Sequence, residues 1–194
     1  MNLTIDECIR KLNKYSHLGK EILPNGRILI GRAPHIAPHA WLHSYGAGLT
    51  EEEIAELEYT LKIPIIPDFK VFLKESNGLD LFVTTFIIYG MRRNNARDLE
   101  NSWQPFNILT PNIPERPKNA KKTYLFIGAY KWDHSYLYID SDSMKVHFCS
   151  RFDATSLKEW ENFEVMLDEE VSRIISLFDK DGVRIDSKHS TLPI

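Results

Sequence analysis

The sequence predicts an α+β fold: a mixed, mainly antiparallel sheet with a helical hairpin before it and a C-terminal helical segment packed around it. Three observations carry that reading. Two consecutive helices with their own start and stop signals span residues 50–78. β-rich runs follow over residues 79–89 and 122–149. Apolar residues then recur at helical spacing from Leu157 to Phe178, the period expected of a helix with one face on a core.

Ile5, Cys8, Ile9 and Leu12 fall on one helical face. Thr4 and Glu7 are spaced as a capping box, in which two side chains satisfy amides left open at a helix start. Leu18-Gly19 ends that helix, Pro24-Asn25-Gly26 reads as a turn and residues 27–31 as a short strand. Residues 34–48 hold Pro34, Pro38, Gly46 and Gly48 beside Trp41 and Tyr45, and they read as an ordered loop packed on the domain.

Thr50-Glu51-Glu52-Glu53 is a second capping box, whose acids suit the positive end of the helix dipole. Ile54, Leu57 and Leu61 share a face, and Pro64 breaks the helix. Pro67 opens the next one, because the first helical turn tolerates a missing amide hydrogen. Phe69, Phe72 and Leu73 line its face, and Asn77-Gly78 closes it, glycine taking the left-handed cap without steric cost. Residues 79–89 suit one long or two short buried strands. Residues 91–121 are polar, with Pro105, Pro111, Pro114 and Pro117, and read as a long surface excursion of the kind that carries binding.

Strands are predicted at residues 122–130, 135–140 and 144–149, the last two joined by the turn Asp140-Ser141-Asp142-Ser143. Ser156-Leu157-Lys158-Glu159 reads as a third capping box, opening a helix or two that Asp181-Gly182 ends. The organisation expected is a helix and ordered loop extension over residues 1–48, a main domain over 49–180 and a loosely held tail over 181–194.

Composition narrows the function classes. Of the 194 residues 43% are hydrophobic and 26% charged, as in ordinary globular proteins. No run approaches the roughly 18 apolar residues of a membrane helix, and Met1 to Glu7 has no basic region leading into an apolar run. A cytoplasmic protein without membrane contact is expected, with Cys8 and Cys149 as two reduced thiols. The net charge of −3 argues against direct nucleic-acid binding. The charge is unevenly spread: residues 91–122 carry seven Lys/Arg against three acids, and residues 153–170 carry seven acids against Lys158.

With those elements in place a resemblance can be read. Residues 49–58, Leu49-Thr50-Glu51-Glu52-Glu53 onward, resemble the opening helix of the SUKH superfamily, which includes the fungal Smi/Knr cell-wall regulators. Ile63-Pro64-Ile65-Ile66-Pro67-Asp68-Phe69, continuing to Asn77-Gly78, is similar to its proline, helix, Asn-Gly signature. Phe126-Ile127-Gly128, Tyr136-Leu137-Tyr138-Ile139-Asp140, Lys145-Val146-His147-Phe148 and the 156–167 segment resemble the remaining elements. The first 48 residues and the 91–121 excursion depart from the pattern, and Ile65-Ile66 is more apolar than usual. The resemblance implies helices around a mixed sheet and a function in protein binding. Bacterial members resemble immunity proteins that neutralise polymorphic toxins, often nucleases. The implied partner is a toxin domain, and a monomer or weak dimer is expected. A scaffold or regulatory module for an endogenous protein is the alternative reading, and a small metal-dependent hydrolase is the third.

No coherent catalytic set emerges. His35, His39 and His43 recur every four residues, a spacing that could place metal ligands on one helical face, but Pro38 interrupts the span. Asp133-His134 sets a carboxylate beside an imidazole, yet adjacent residues on a tight turn seldom pair productively. Catalytic, cofactor and metal residues are therefore assigned as none. The expected partner-contact residues are Trp41, His43 and Tyr45 in one loop, Tyr130, Trp132, Asp133 and His134 around another, and Glu161 and Glu164 in the acidic segment. Aromatic side chains with polar tips are enriched at interface hot spots, and an acidic run could steer a basic nuclease.

Overall fold

Nine strands, paired in simple sequence order, form one sheet in the computed structural model, which describes residues 3–94 and 103–194. The order is α1 (Leu3–Leu12), β1 (Lys20–Ile22), β2 (Arg27–Arg32), β3 (Trp41–Gly46), α2 (Glu51–Leu61), α3 (Pro67–Glu75), β4 (Leu79–Leu81) and β5 (Phe86–Ile88). Then come α4 (Leu109–Asn112), β6 (Tyr124–Tyr130), β7 (Tyr136–Asp140), β8 (Val146–Ser150), β9 (Asp153–Trp160) and α5 (Phe163–Ser176). Every ladder between named strands is antiparallel, and a lone parallel bridge joins Gly90 to Asn107. The class is α+β, as the residue pattern implies. Residues 95–102 of the expected excursion, with Arg97, Asp98 and Glu100, lie outside the described residues.

The helical hairpin forms where its start signals predict, but α3 ends at Glu75 with Ser76 in extended backbone, so Gly78, left-handed at φ 80°, lies beyond the cap expected of it. Thr50 Oγ1 accepts from the Glu53 amide at 3.2 Å while the Glu53 carboxylate accepts from the Thr50 amide at 2.9 Å. Lys62 ends α2 in the left-handed region (φ 56°) and Pro67 opens α3. Glu58 ties the two helices, accepting from the Ile65 amide at 2.7 Å and Lys70 Nζ at 2.9 Å. The rings of Phe69 and Phe72 meet Phe163 of α5 at 5.1 and 5.3 Å.

The structure corrects several expectations. Residues 41–46, expected in a loop, are strand β3, buried throughout between β2 and β4. A strand covered on both faces shows no polar alternation, and Pro34 and Pro38 belong to the preceding turn. The hairpin therefore follows the first three strands of the sheet. Thr4 lies within α1 (Leu3–Leu12), where Glu7 accepts from Arg10 Nε at 2.6 Å, and the Thr4 side chain of the expected capping box lies outside the described residues. The Ser156 box does not form either. Residues 153–160 pair with β8, Trp160 opposite Val146 and Lys158 opposite Phe148, and α5 starts later with Asn162 Oδ1 accepting from the Val165 amide at 2.9 Å. The tail folds back, with Thr191 buried and its carbonyl accepting from Arg173 Nη2 at 2.8 Å.

One glycine is required by close approach. A Cβ on Gly48, at the junction of β3 and α2, would stand 1.8 Å from the Lys74 carbonyl oxygen. Backbone on that side cannot rotate away as a side chain would. Gly48→Ala is expected to cost about 1–3 kcal/mol, read as a lower urea midpoint at unchanged slope. A midpoint equal to the parent's would show that the α3 terminus gives way freely.

Candidate functional site

Strand register sorts the sheet into two faces, because directly paired residues point the same way. One row runs Ile30, His43, Leu81, Phe86 and Tyr130 across β2 to β6. It is buried, and the Tyr130 hydroxyl donates to Glu170 of α5 at 2.6 Å, so this row faces the helices. Strand alternation puts Trp41 and Tyr45 beside His43. Four of the expected contact residues, Trp41, His43, Tyr45 and Tyr130, are thus core side chains of the folded chain. Burial arises because the strand containing the first three is interior to the sheet.

The neighbouring row runs Leu29, Ser44, Asp80, Ile87, Ala129, Tyr136 and Cys149. The excursion crosses this second face. Asn112, buried, anchors it by donating to the Phe126 carbonyl at 2.7 Å and accepting from the Phe126 amide at 2.9 Å. The amide of Gly90 donates to the Phe106 carbonyl at 3.0 Å, and the Ile108 amide donates to the Gly90 carbonyl at 2.9 Å. A trough remains between segment and sheet. Its shallow part, about 280 Å³, lies over Ile87, Tyr89, Ala129 and Tyr136. Its deeper part, about 460 Å³, reaches Arg27, Ser44 and Asp80. Thr84, Phe106, Asn107 and Thr110 line both.

Phe106 lines the shallow part, Phe152 lines an adjoining hollow that shares Glu115 and Arg151 with it, and Trp132 lies in the turn between Lys131 and His134. Phe106 is 47% exposed, Trp132 45% and Phe152 81%. Between them Glu115 accepts from the Tyr136 hydroxyl at 3.0 Å and from Arg151 Nη2 at 2.8 Å. The Arg151 guanidinium, followed by the Tyr136 hydroxyl, holds the Glu115 carboxyl below the usual carboxylate range. Lys131, His134, Arg116 and Lys118 line the trough or its margin, so this rim is mainly basic.

The Trp132-Asp133-His134 turn closes one end of the shallow part. Asp133 accepts from the Ser135 amide at 2.9 Å, and His134 has φ 62°. The carboxylate thus shapes the turn. Arg184 lies 5.0 Å from the centre of the Trp132 ring. Glu161, exposed, and Glu164, half-buried, sit at the start of α5 on the helical side. The rest of the acidic run is engaged locally: Asp153 by Asn119, Glu159 by Lys145, Asp168 by Lys11, Glu169 by Trp160 and Glu170 by Arg173. A continuous acidic field is not what the fold builds from it.

Other chemistry is dispersed. His35 and His39 are exposed in the turn before β3, whereas His43 is buried. Among the described residues no group of three or more His, Cys, Asp or Glu is placed to hold a metal ion. Burial pushes the Cys8 and Cys149 thiols up to about 12, far from the thiolate a nucleophile needs. No helix among the described residues is long and apolar enough to cross a membrane.

Sequence reasoning missed Phe106, Phe152, Glu115, Arg151, Arg27 and Asp80. An arginine opening a strand reads as solvent-facing, and Phe152 lies where the pattern read strand giving way to helix. Register places Arg27 and Asp80 on the trough face, and the long-range bonds of the 103–121 segment bring the others to it.

Comparison with known proteins gives a match to the SMI1 / KNR4 family (SUKH-1) over residues 48–169. No curated protein matches the chain.

Proposed function

The chain belongs to the SMI1 / KNR4 family (SUKH-1), and from that premise we propose that it is a non-catalytic protein-binding domain of the immunity type, holding a toxin domain in the cytoplasm. The observation that carries the reading is the pair of exposed aromatics, Phe106 in the lining of an open trough and Phe152 in the hollow beside it, with a charged rim between them and Trp132 exposed in the adjoining turn. Large rings beside arginine are the residues that dominate binding energy at protein interfaces. The trough supplies concavity and the Glu115–Arg151 pair supplies orientation. Trp132, Asp133 and His134 are the expected contact residues that this face retains, and Glu161 and Glu164 flank the helical layer as a secondary contact.

Capture of partners from the source organism, identified by mass spectrometry, tests the reading together with rescue of toxin-inhibited growth. Trp132→Ala and Phe152→Ala are each expected to weaken partner binding about tenfold or more, without lowering the melting temperature. Unchanged affinity in both variants would move the interface elsewhere. A captured partner with no toxin activity would make the domain a regulatory scaffold.

A further inference from the structure

The deep end of the trough contains a charge that the protein-binding reading leaves unused. Arg27 is only 2% exposed, yet it opens onto the 460 Å³ compartment. Its acceptors are neutral: Ser44 Oγ, at 3.3 Å from Nε and 3.0 Å from Nη2, and the Asn77 carbonyl, 3.0 Å from Nη1. Among the described residues no carboxylate forms an ion pair with it. Guanidinium cannot shed its proton in a protein, so burial without a paired anion is costly. The compensating group is Asp80, half-buried on the same face of the sheet, whose Oδ1 is occupied by the Thr84 amide at 2.6 Å. Burial pushes that carboxyl up to about 6, with the Thr84 amide and then Arg27 opposing the shift, and Asp80 faces Arg27 without pairing with it directly.

We propose that this compartment is a binding site for a small oxyanion, a free phosphate or a short-chain carboxylate, with Arg27 as its anchor. The remaining walls fit that class. Arg92 stands at the edge as a second cation, and Trp103 and Phe106 cover the compartment with aromatic surface. The volume lies within the range of small-ligand pockets, roughly 300–1,000 Å³. A bound oxyanion supplies the direct ion pair with Arg27 that Asp80, tied to the Thr84 amide, does not make. The site is independent of which protein, if any, docks on the rim.

The test is a titration of the full chain with inorganic phosphate and, separately, glutarate, following the arginine Nε–Hε resonances. A saturable shift of the Arg27 signal is expected with at least one probe, and the probe that saturates names the anion class. Arg27→Gln is expected to abolish it. Because Arg27 also bonds Ser44 and Asn77, two further variants guard against a folding defect. Thr110→Trp, at an exposed position of the mouth, is expected to weaken binding about tenfold or more by filling the compartment. Asp80→Asn keeps an acceptor for the Thr84 amide and removes the opposing negative charge, so affinity is expected to rise about tenfold. Absence of saturation with both probes, unchanged affinity in Thr110→Trp, or an Asp80→Asn variant that binds no better would overturn the proposal.

Discussion

Glu170→Ala is expected to lower folding stability by about 3–5 kcal/mol, the usual cost of removing one partner from a buried ion pair. Glu170 is fully buried. It accepts from the Tyr130 hydroxyl at 2.6 Å and from Arg173 Nη2 at 2.6 Å. Arg173 in turn holds the Thr191 carbonyl, so one carboxylate links the sheet, α5 and the tail. Alanine leaves a guanidinium without its counter-charge and a buried phenol without an acceptor. Burial, then the nearby carboxylate, already holds the Tyr130 hydroxyl well above its ordinary range, so ionisation offers it no escape. Glu170→Gln keeps an acceptor and is expected to lose less, about 1.5–3 kcal/mol. Urea denaturation reads both. An alanine variant within about 1 kcal/mol of the parent would mean the triad is replaced by water at no cost.

Sequence made the helical hairpin legible because its signals are local. Thr50, Glu53, Pro64 and Pro67 each act within a turn or two of chain, and local rules read them directly. The strands of residues 124–150 were legible for a similar reason, since short turns separate them. Long-range pairing was not legible. Trp41 to Gly46 reads as a loop until its two neighbouring strands are known, because a strand buried on both sides shows no alternation. The Ser156 box reads as a helix start until β8 claims residues 153–160 as its edge partner. There the capping signature is real as a pattern, but a ladder with Trp160 opposite Val146 outweighs it.

The candidate site was less legible than the fold, and register explains why. The aromatics singled out from composition divided according to strand phase. Tyr130 faces the helices, while Ala129, one position away, faces the trough with Tyr136 opposite. Trp132 is left exposed because it sits in a turn, where phase no longer applies. Nothing local tells a reader that Glu115 and Arg151, far apart in sequence, meet at 2.8 Å.

The acid side of the stability profile is expected to be set largely by His43, and the sign follows from its surroundings. Its ring lies between Tyr15 and Phe82, with centroids 5.1 and 4.5 Å away. Nδ1 accepts from the Phe82 amide at 3.4 Å, and Nε2 is buried without a partner among the described residues. Burial lowers its pKa to about 3. The native ring therefore stays neutral where the unfolded chain, with an ordinary value near 6.5, takes up a proton. Stability is full above about pH 6.5 and falls by up to about 1.4 kcal/mol per pH unit until the native ring titrates near 3. Asp80 acts oppositely: its raised value makes the native state the stronger proton binder between about 3.8 and 6, adding stability as pH falls. Comparing the parent with His43→Gln cancels that contribution, because both proteins contain Asp80. The glutamine variant keeps an acceptor for the Phe82 amide and never ionises. Between pH 6.5 and 4.5 the parent is expected to lose about 2 kcal/mol relative to it, and more by pH 3.5. Parallel stability curves from urea melts would sink the prediction. They would also mean that the His43 ring takes up a proton as easily in the native chain as in the unfolded one.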